Sequence, residues 1–192
     1  MSNIATTLGA GGGLFLACRW LHRRNMERAH DAANTFFDDL HHIVPKVLDF
    51  TFSVSQIMAK MAAIENEDSF SRHTAEITSD SLRMMNQANQ LKLLFFARYA
   101  LVERRGVTIK PKAHQSFEIA LITFFNAASE ALQHTVVRII PVTKFTDYLE
   151  IVHDFKNAFI QVKRFSDELN VAFGEVINID YQDYFNFPKT IL

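Results

Sequence analysis

The sequence predicts an all-α protein, an up-down-up-down bundle of four long helices preceded by a glycine-striped hydrophobic helix. Three observations carry that expectation. Apolar residues recur at intervals of three and four through most of the chain, the pattern of a helix with one face against a core. Helix breakers are scarce, with six glycines and four prolines in 192 residues. After Gly13 the breakers stand far apart, so the apolar stripes are long and their connections short, which favours antiparallel neighbours.

Each element follows from its own residues. The first bundle segment carries Met26, Ala29, Ala33, Phe36, Phe37, Leu40, Ile43 and Val44, and continues past Pro45 through Val47, Phe50, Val54, Ile57 and Met61. Proline lacks an N–H, so Pro45 either kinks one long helix or starts a second. A kinked single helix is the expectation. The second stripe runs from Phe70 through Ile77, Met84, Leu91 and Phe95 to Val102. It should stop at Arg104 and Arg105, with Gly106 just past the end and Pro111 beyond. A third segment, about 112–140, carries Phe117, Leu121, Phe124, Leu132 and Val136. Its β-branched end, "TVVRIIPV", is read as a helix end because no partner strand is evident. The fourth, about 143–177, carries Phe145, Val152, Phe155, Phe159, Val162, Leu169 and Val176. The tail "NIDYQDYFNFPKTIL" shows no period. The expected organisation is therefore an N-terminal hydrophobic helix over 1–24, a bundle over 25–178 and a tail over 179–192.

Composition narrows the function. Apolar residues make up 48% of the chain, enough for a real core, and the net charge is −1. Nucleic-acid binders usually show a basic excess, so no nucleic-acid partner is expected. A lone cysteine, Cys18, can form no intrachain disulfide. Phenylalanine is abundant, 18 residues against one Trp and four Tyr. Phe50, Phe95, Phe124, Phe155 and Phe159 lie mid-stripe and should be buried. A Phe-rich core is the simpler reading, and an aromatic-lined ligand tunnel is the sharper one.

The stretch "LGAGGGLFLACRWLHRR", Leu8 to Arg24, is the least ordinary. As a dinucleotide loop it fails, because the third glycine of G-x-G-x-x-G would fall on Leu14 and no strand can precede it. No Gly-Lys-Ser or Gly-Lys-Thr is present either. As a helix it reads better. Ala5, Gly9, Gly13 and Ala17 are spaced by four and share one face, the small-xxx-small pattern that lets helices approach closely in lipid. No charge occurs before Arg19. Trp20 with Arg19, Arg23 and Arg24 then supplies an aromatic and basic interface anchor. Residues 3–21 span about 27 Å at 1.5 Å per residue, just under the roughly 30 Å of a bilayer core.

Membrane lipid is thus the expected partner of 3–21. The protein is expected to be single-pass, with its bulk cytoplasmic, because the positive flank follows the span. Self-association through the small-residue face would make it a homo-oligomer. Cys18 would lie near the inner interface, where S-acylation occurs, although a small buried helix residue is the plainer reading. A cleaved signal, a mitochondrial presequence and a soluble helix packed into the bundle are the alternatives.

Chemistry is sparse. "ERAH" (Glu27, His30) and "EIVH" (Glu150, His153) both fit Glu-x-x-His, the ligand pair that di-metal bundles repeat on two helices. With ten Glu and eight His in the chain, such matches arise readily by chance. No inward Glu is evident on the other two helices, so solvated faces are expected, with no metal and no cofactor. "DDLHH" (Asp38, Asp39, His41, His42) reads as a polar face. No nucleophile elbow, zinc-protease signature or calcium loop occurs. The favoured function is a membrane-tethered helical interaction module, an adaptor, assembly or immunity-type binding protein, without catalysis of its own. A membrane-active oligomerising protein and a di-metal carboxylate enzyme are the alternatives.

Overall fold

A computed structural model describes residues 2–110 and 112–188, with the backbone alone for 2–15 and 113. It is an all-α bundle of four long helices. α1 spans Ser2–Ala62, α2 Glu67–Arg104, α3 Lys112–Ile139 and α4 Phe145–Ile177. Each helix packs against its two neighbours in a ring: α1 against α2 and α4, α3 against α2 and α4. The Tyr148 hydroxyl in the first turn of α4 donates to the Met61 carbonyl in the last turn of α1 at 2.8 Å. That bond ties one end of α1 to the opposite end of α4, as antiparallel neighbours require.

α1 is 61 residues long, about 90 Å at 1.5 Å per residue. Between Gly13 and Pro45 nothing interrupts its backbone hydrogen bonding, so the hydrophobic stretch and the first bundle helix are one element. The helix also runs unbroken through Pro45. The His41 carbonyl loses its usual i+4 donor there. Burial of Ile43, Val44 and Val47 on both sides of the proline holds the segment helical in spite of that loss.

The connections obey local chemistry. α2 begins at a capping box, in which Asn66 Oδ1 accepts from the Ser69 N–H at 2.9 Å and the Asn66 N–H donates to Ser69 Oγ. It ends as its sequence predicts. Gly106 takes φ +75°, Gly106 N–H donates to Glu103 and Val107 N–H to Val102. This is a Schellman stop, and the apolar pair that accompanies it, Val102 and Val107, is fully buried. Pro111 lies outside the described residues.

The tail departs from expectation. Residues Tyr181–Tyr184 form a single helical turn, α5, and Phe185–Asn186 form a strand, β2. β2 pairs antiparallel with β1, Thr108–Ile109, in the register Thr108 to Asn186 and Ile109 to Phe185. Tyr184 and Phe185 join the core. The five mid-stripe phenylalanines, Phe50, Phe95, Phe124, Phe155 and Phe159, are all buried.

Candidate functional site

The most distinctive surface is the start of α1. Ala29 is its first buried residue. Between 16 and 28 no residue is buried, and Leu16, Trp20 and Leu21 are 65%, 57% and 51% exposed. The reason is length: α4 has 33 residues and α1 has 61, so α1 runs past the helices that could cover it. On this extension the Arg24 guanidinium sits 5.1 Å from the Trp20 ring centroid, a cation–π contact. Arg23 Nε pairs with Glu27 one turn on, at 3.1 Å.

The sequence expectations for this stretch fall out unevenly. Ala17 and Cys18 are exposed, so Cys18 is not the buried small residue of the plainer reading. Ala5, Gly9 and Gly13 lie outside the residues whose side chains are described. Between 16 and 28 only His22 and Met26 are partly buried, and the other side chains are exposed. Among the described residues no helix is long and apolar enough to cross a membrane. Most of the expected span, 3–15, lies outside the described side chains.

The Glu-x-x-His pairs are not brought together. Glu27 and His30 lie at the tail end of the bundle, where the His30 ring stacks on Phe187 at 3.9 Å and Glu27 is held by Arg23. Glu150 and His153 lie on α4 near the opposite end, two and five residues beyond Tyr148, which bonds to Met61. Both are exposed, and His153 Nε2 is 3.1 Å from the Asn157 side-chain nitrogen. Roughly twenty-five helical residues, or about 40 Å, separate the two pairs along the bundle. Among the described residues no group of three or more His, Cys, Asp or Glu side chains converges to hold a metal. Asp39 of the "DDLHH" run instead pairs with Arg98 of α2 at 3.0 Å.

The tail end of the bundle holds a buried polar group that the sequence reading missed. His114, in the first turn of α3, is 2% exposed. Its Nδ1 and the Tyr184 hydroxyl share a hydrogen bond of 2.5 Å, and its Nε2 has no partner. Tyr99 stacks on its ring at 5.6 Å, and Phe36, Phe95 and Phe117 complete the shell. Burial drives the imidazole pKa down to about 4 and pushes the Tyr99 and Tyr184 phenols up, so all three stay neutral near pH 7. The density of rings in "DYFNF" was the available signal, since five aperiodic residues with three aromatics seldom stay in water.

Among the described residues the core phenylalanines pack against one another, Phe50 on Phe124, Phe95 on Phe96 and Phe117, and Phe124 on Phe125. The space lined by Phe36, Leu40, Leu91 and Phe95 between α1 and α2 offers about 20 Å³, room for one water. No family model, curated protein or solved structure matches this chain.

Proposed function

We propose that this chain is a membrane-tethered helical interaction module: α1 carries the tether at its start, and the four-helix bundle is the part displayed to a protein partner. The observation that supports this reading is the continuity of α1. One uninterrupted helix leaves the core at Ala29 and presents Leu16, Trp20 and Leu21 to solvent. Exposed large apolar side chains on an unpartnered helix mark an interaction site with membrane or protein. Their order along the axis favours lipid. The apolar run comes first, then Arg19 and Trp20 together, then Arg23 and Arg24, an order that fits a helix leaving a bilayer through its interface. On this reading residues 3–21 lie in the membrane, and the bundle lies on the cytoplasmic side. The exposed apolar residues of the bundle itself, such as Phe52, Leu93, Ile119, Ile160 and Val171, come from four different helices. They provide contact points for a partner and name none.

The test is a carbonate wash of membranes holding the full chain or a version lacking residues 1–24. Retention of the full chain in the pellet and release of the shortened one support the tether. Release of both defeats it. Leakage from liposomes carrying the full chain would shift the reading to a membrane-active protein.

A further inference from the structure

We infer that Arg19, Arg23, Arg24 and Arg28 form a collar that binds the anionic phosphates of a negatively charged lipid leaflet, an inference that rests on the tether reading. The collar is rich in charge. Residues 16–28 contain four arginines and one acid, Glu27, whose carboxylate is already paired with Arg23. All four arginines are exposed. They are also all arginine: no lysine occurs before Lys46. A guanidinium offers a planar fork that matches phosphate oxygens two at a time, which an ammonium does not.

Geometry selects lipid over a protein groove. Successive helical residues turn by about 100°. Arg19 and Arg23 therefore share one side, while Arg24 and Arg28 share another roughly 140° away. Leu16 and Trp20 point between the two groups, and Leu21 shares the side of Arg28, about 20° from it. A partner helix or groove reads one face of a helix, whereas this stretch presents charge and apolar surface around half or more of its circumference. A leaflet surrounds a helix on all sides. Along the axis, Arg19 to Arg28 covers about 13 Å, of the order of the headgroup layer plus the reach of snorkelling side chains. The Trp20–Arg24 contact holds an aromatic ring and a cation at the same depth, as an interface position requires.

The experiment is flotation of the purified full chain, added from dilute detergent, with vesicles of phosphatidylcholine alone or mixed with phosphatidylglycerol. A second protein carries R19Q, R23Q, R24Q and R28Q together, and its thermal melt is checked against the parent. Each basic residue near an anionic surface is worth about 1 kcal/mol, or roughly five-fold. The parent should therefore partition at least about ten-fold more strongly onto the mixed vesicles, and salt should erode that gain. The variant should lose the gain and still bind neutral vesicles. Equal binding of the parent to both vesicle types overturns the lipid-class inference and leaves the tether intact. A variant that keeps the gain also overturns it. A folded parent that floats with neither vesicle overturns the tether reading, and the collar with it.

Discussion

Residues 16–28 and residues 179–188 lie toward the same end of the bundle and behave in opposite ways. The first stretch sets Leu16, Trp20 and Leu21 among four arginines, and all three apolar side chains stand in solvent. The second has no periodic pattern, yet Tyr184 and Phe185 are buried and Phe187 stacks on His30. The difference lies in what each can reach. The extension of α1 continues along its axis beyond most of its neighbours, so only His22 and Met26 are partly covered. The tail turns back across the bundle end, where Phe36, Phe37, His30 and β1 offer rings and a strand edge. Hydrophobicity sets the drive to bury a segment, and topology decides whether a partner exists.

Removing each stretch gives the largest contrast. A chain lacking 179–192 loses Tyr184 and Phe185 from the core and leaves His114 without its hydrogen-bond partner. Deleting one large buried aromatic typically costs about 3–5 kcal/mol. The combined loss should exceed about 5 kcal/mol, which for a chain of this size lowers Tm by about 10 °C or more. A chain lacking 1–24 should melt within about 2 °C of the parent. Circular dichroism melts of the two deletions decide it, and a bundle that unfolds without 1–24 would mean that the extension is part of the core after all.

Single rings sharpen the same contrast. Phe185→Ala should destabilise by about 3–5 kcal/mol in urea titration, through lost contacts with Phe36, Phe37 and Tyr184 and the cavity left behind. Trp20→Ala should change the stability of the bundle by less than about 0.5 kcal/mol, as exposed positions usually do. Comparable losses at the two sites would erase the distinction.

How much of this was legible follows from the range of each signal. The four stripes, the five buried phenylalanines and the stop at Gly106 depend on neighbours within a few residues, and all could be read directly. So could the Asn66-x-x-Ser69 cap, which the periodic reading passed over. The continuity of α1 was obscured because the chemistry changes at Arg19–Arg24 while the backbone preference does not. For the tail, only the density of rings in "DYFNF" hinted at burial, and its pairing was not legible. Its partners are remote, Thr108 to Asn186 and His114 to Tyr184, and no local period encodes a contact some 70 residues away. Residues 3–15 remain legible only as sequence, and the small-residue face at Ala5, Gly9 and Gly13 rests there.

A titration probes the buried end without removing atoms. His114 has a folded-state pKa of about 4 against an ordinary 6.5, because burial penalises the cation and the facing groups, Tyr99 and Tyr184, are neutral phenols. The unfolded chain thus binds a proton at higher pH than the folded one. Stability is fully present above about pH 6.5, falls as pH drops through the window to about 4, and levels off below it, with a loss of about 3 kcal/mol from this group. Urea midpoints measured across that window should show the slope in the parent and lose most of it in His114→Phe. A slope of equal size in that variant would assign the effect to other groups.

Among the buried groups, the smallest effect expected is at the hydrogen bond that closes the tail. Tyr184→Phe keeps the ring against Phe37, His114 and Phe185 and deletes only the hydroxyl. His114 then loses its one partner while both nitrogens stay buried. An intramolecular hydrogen bond contributes about 1 kcal/mol net, and a buried polar atom left without a partner costs about 1–3 kcal/mol, so the loss should be about 1–3 kcal/mol. The double variant Tyr184→Phe with His114→Phe separates bond from packing, because neither polar group then lacks a partner. If the tail is held chiefly by its rings, the double variant should recover most of what Tyr184→Phe loses, and native-state hydrogen exchange at the Lys110 amide, which donates to the Tyr184 carbonyl at 3.0 Å, should stay slow. Rapid exchange there, with no recovery of stability, would show that the His114–Tyr184 bond and not the aromatic packing keeps the tail in place.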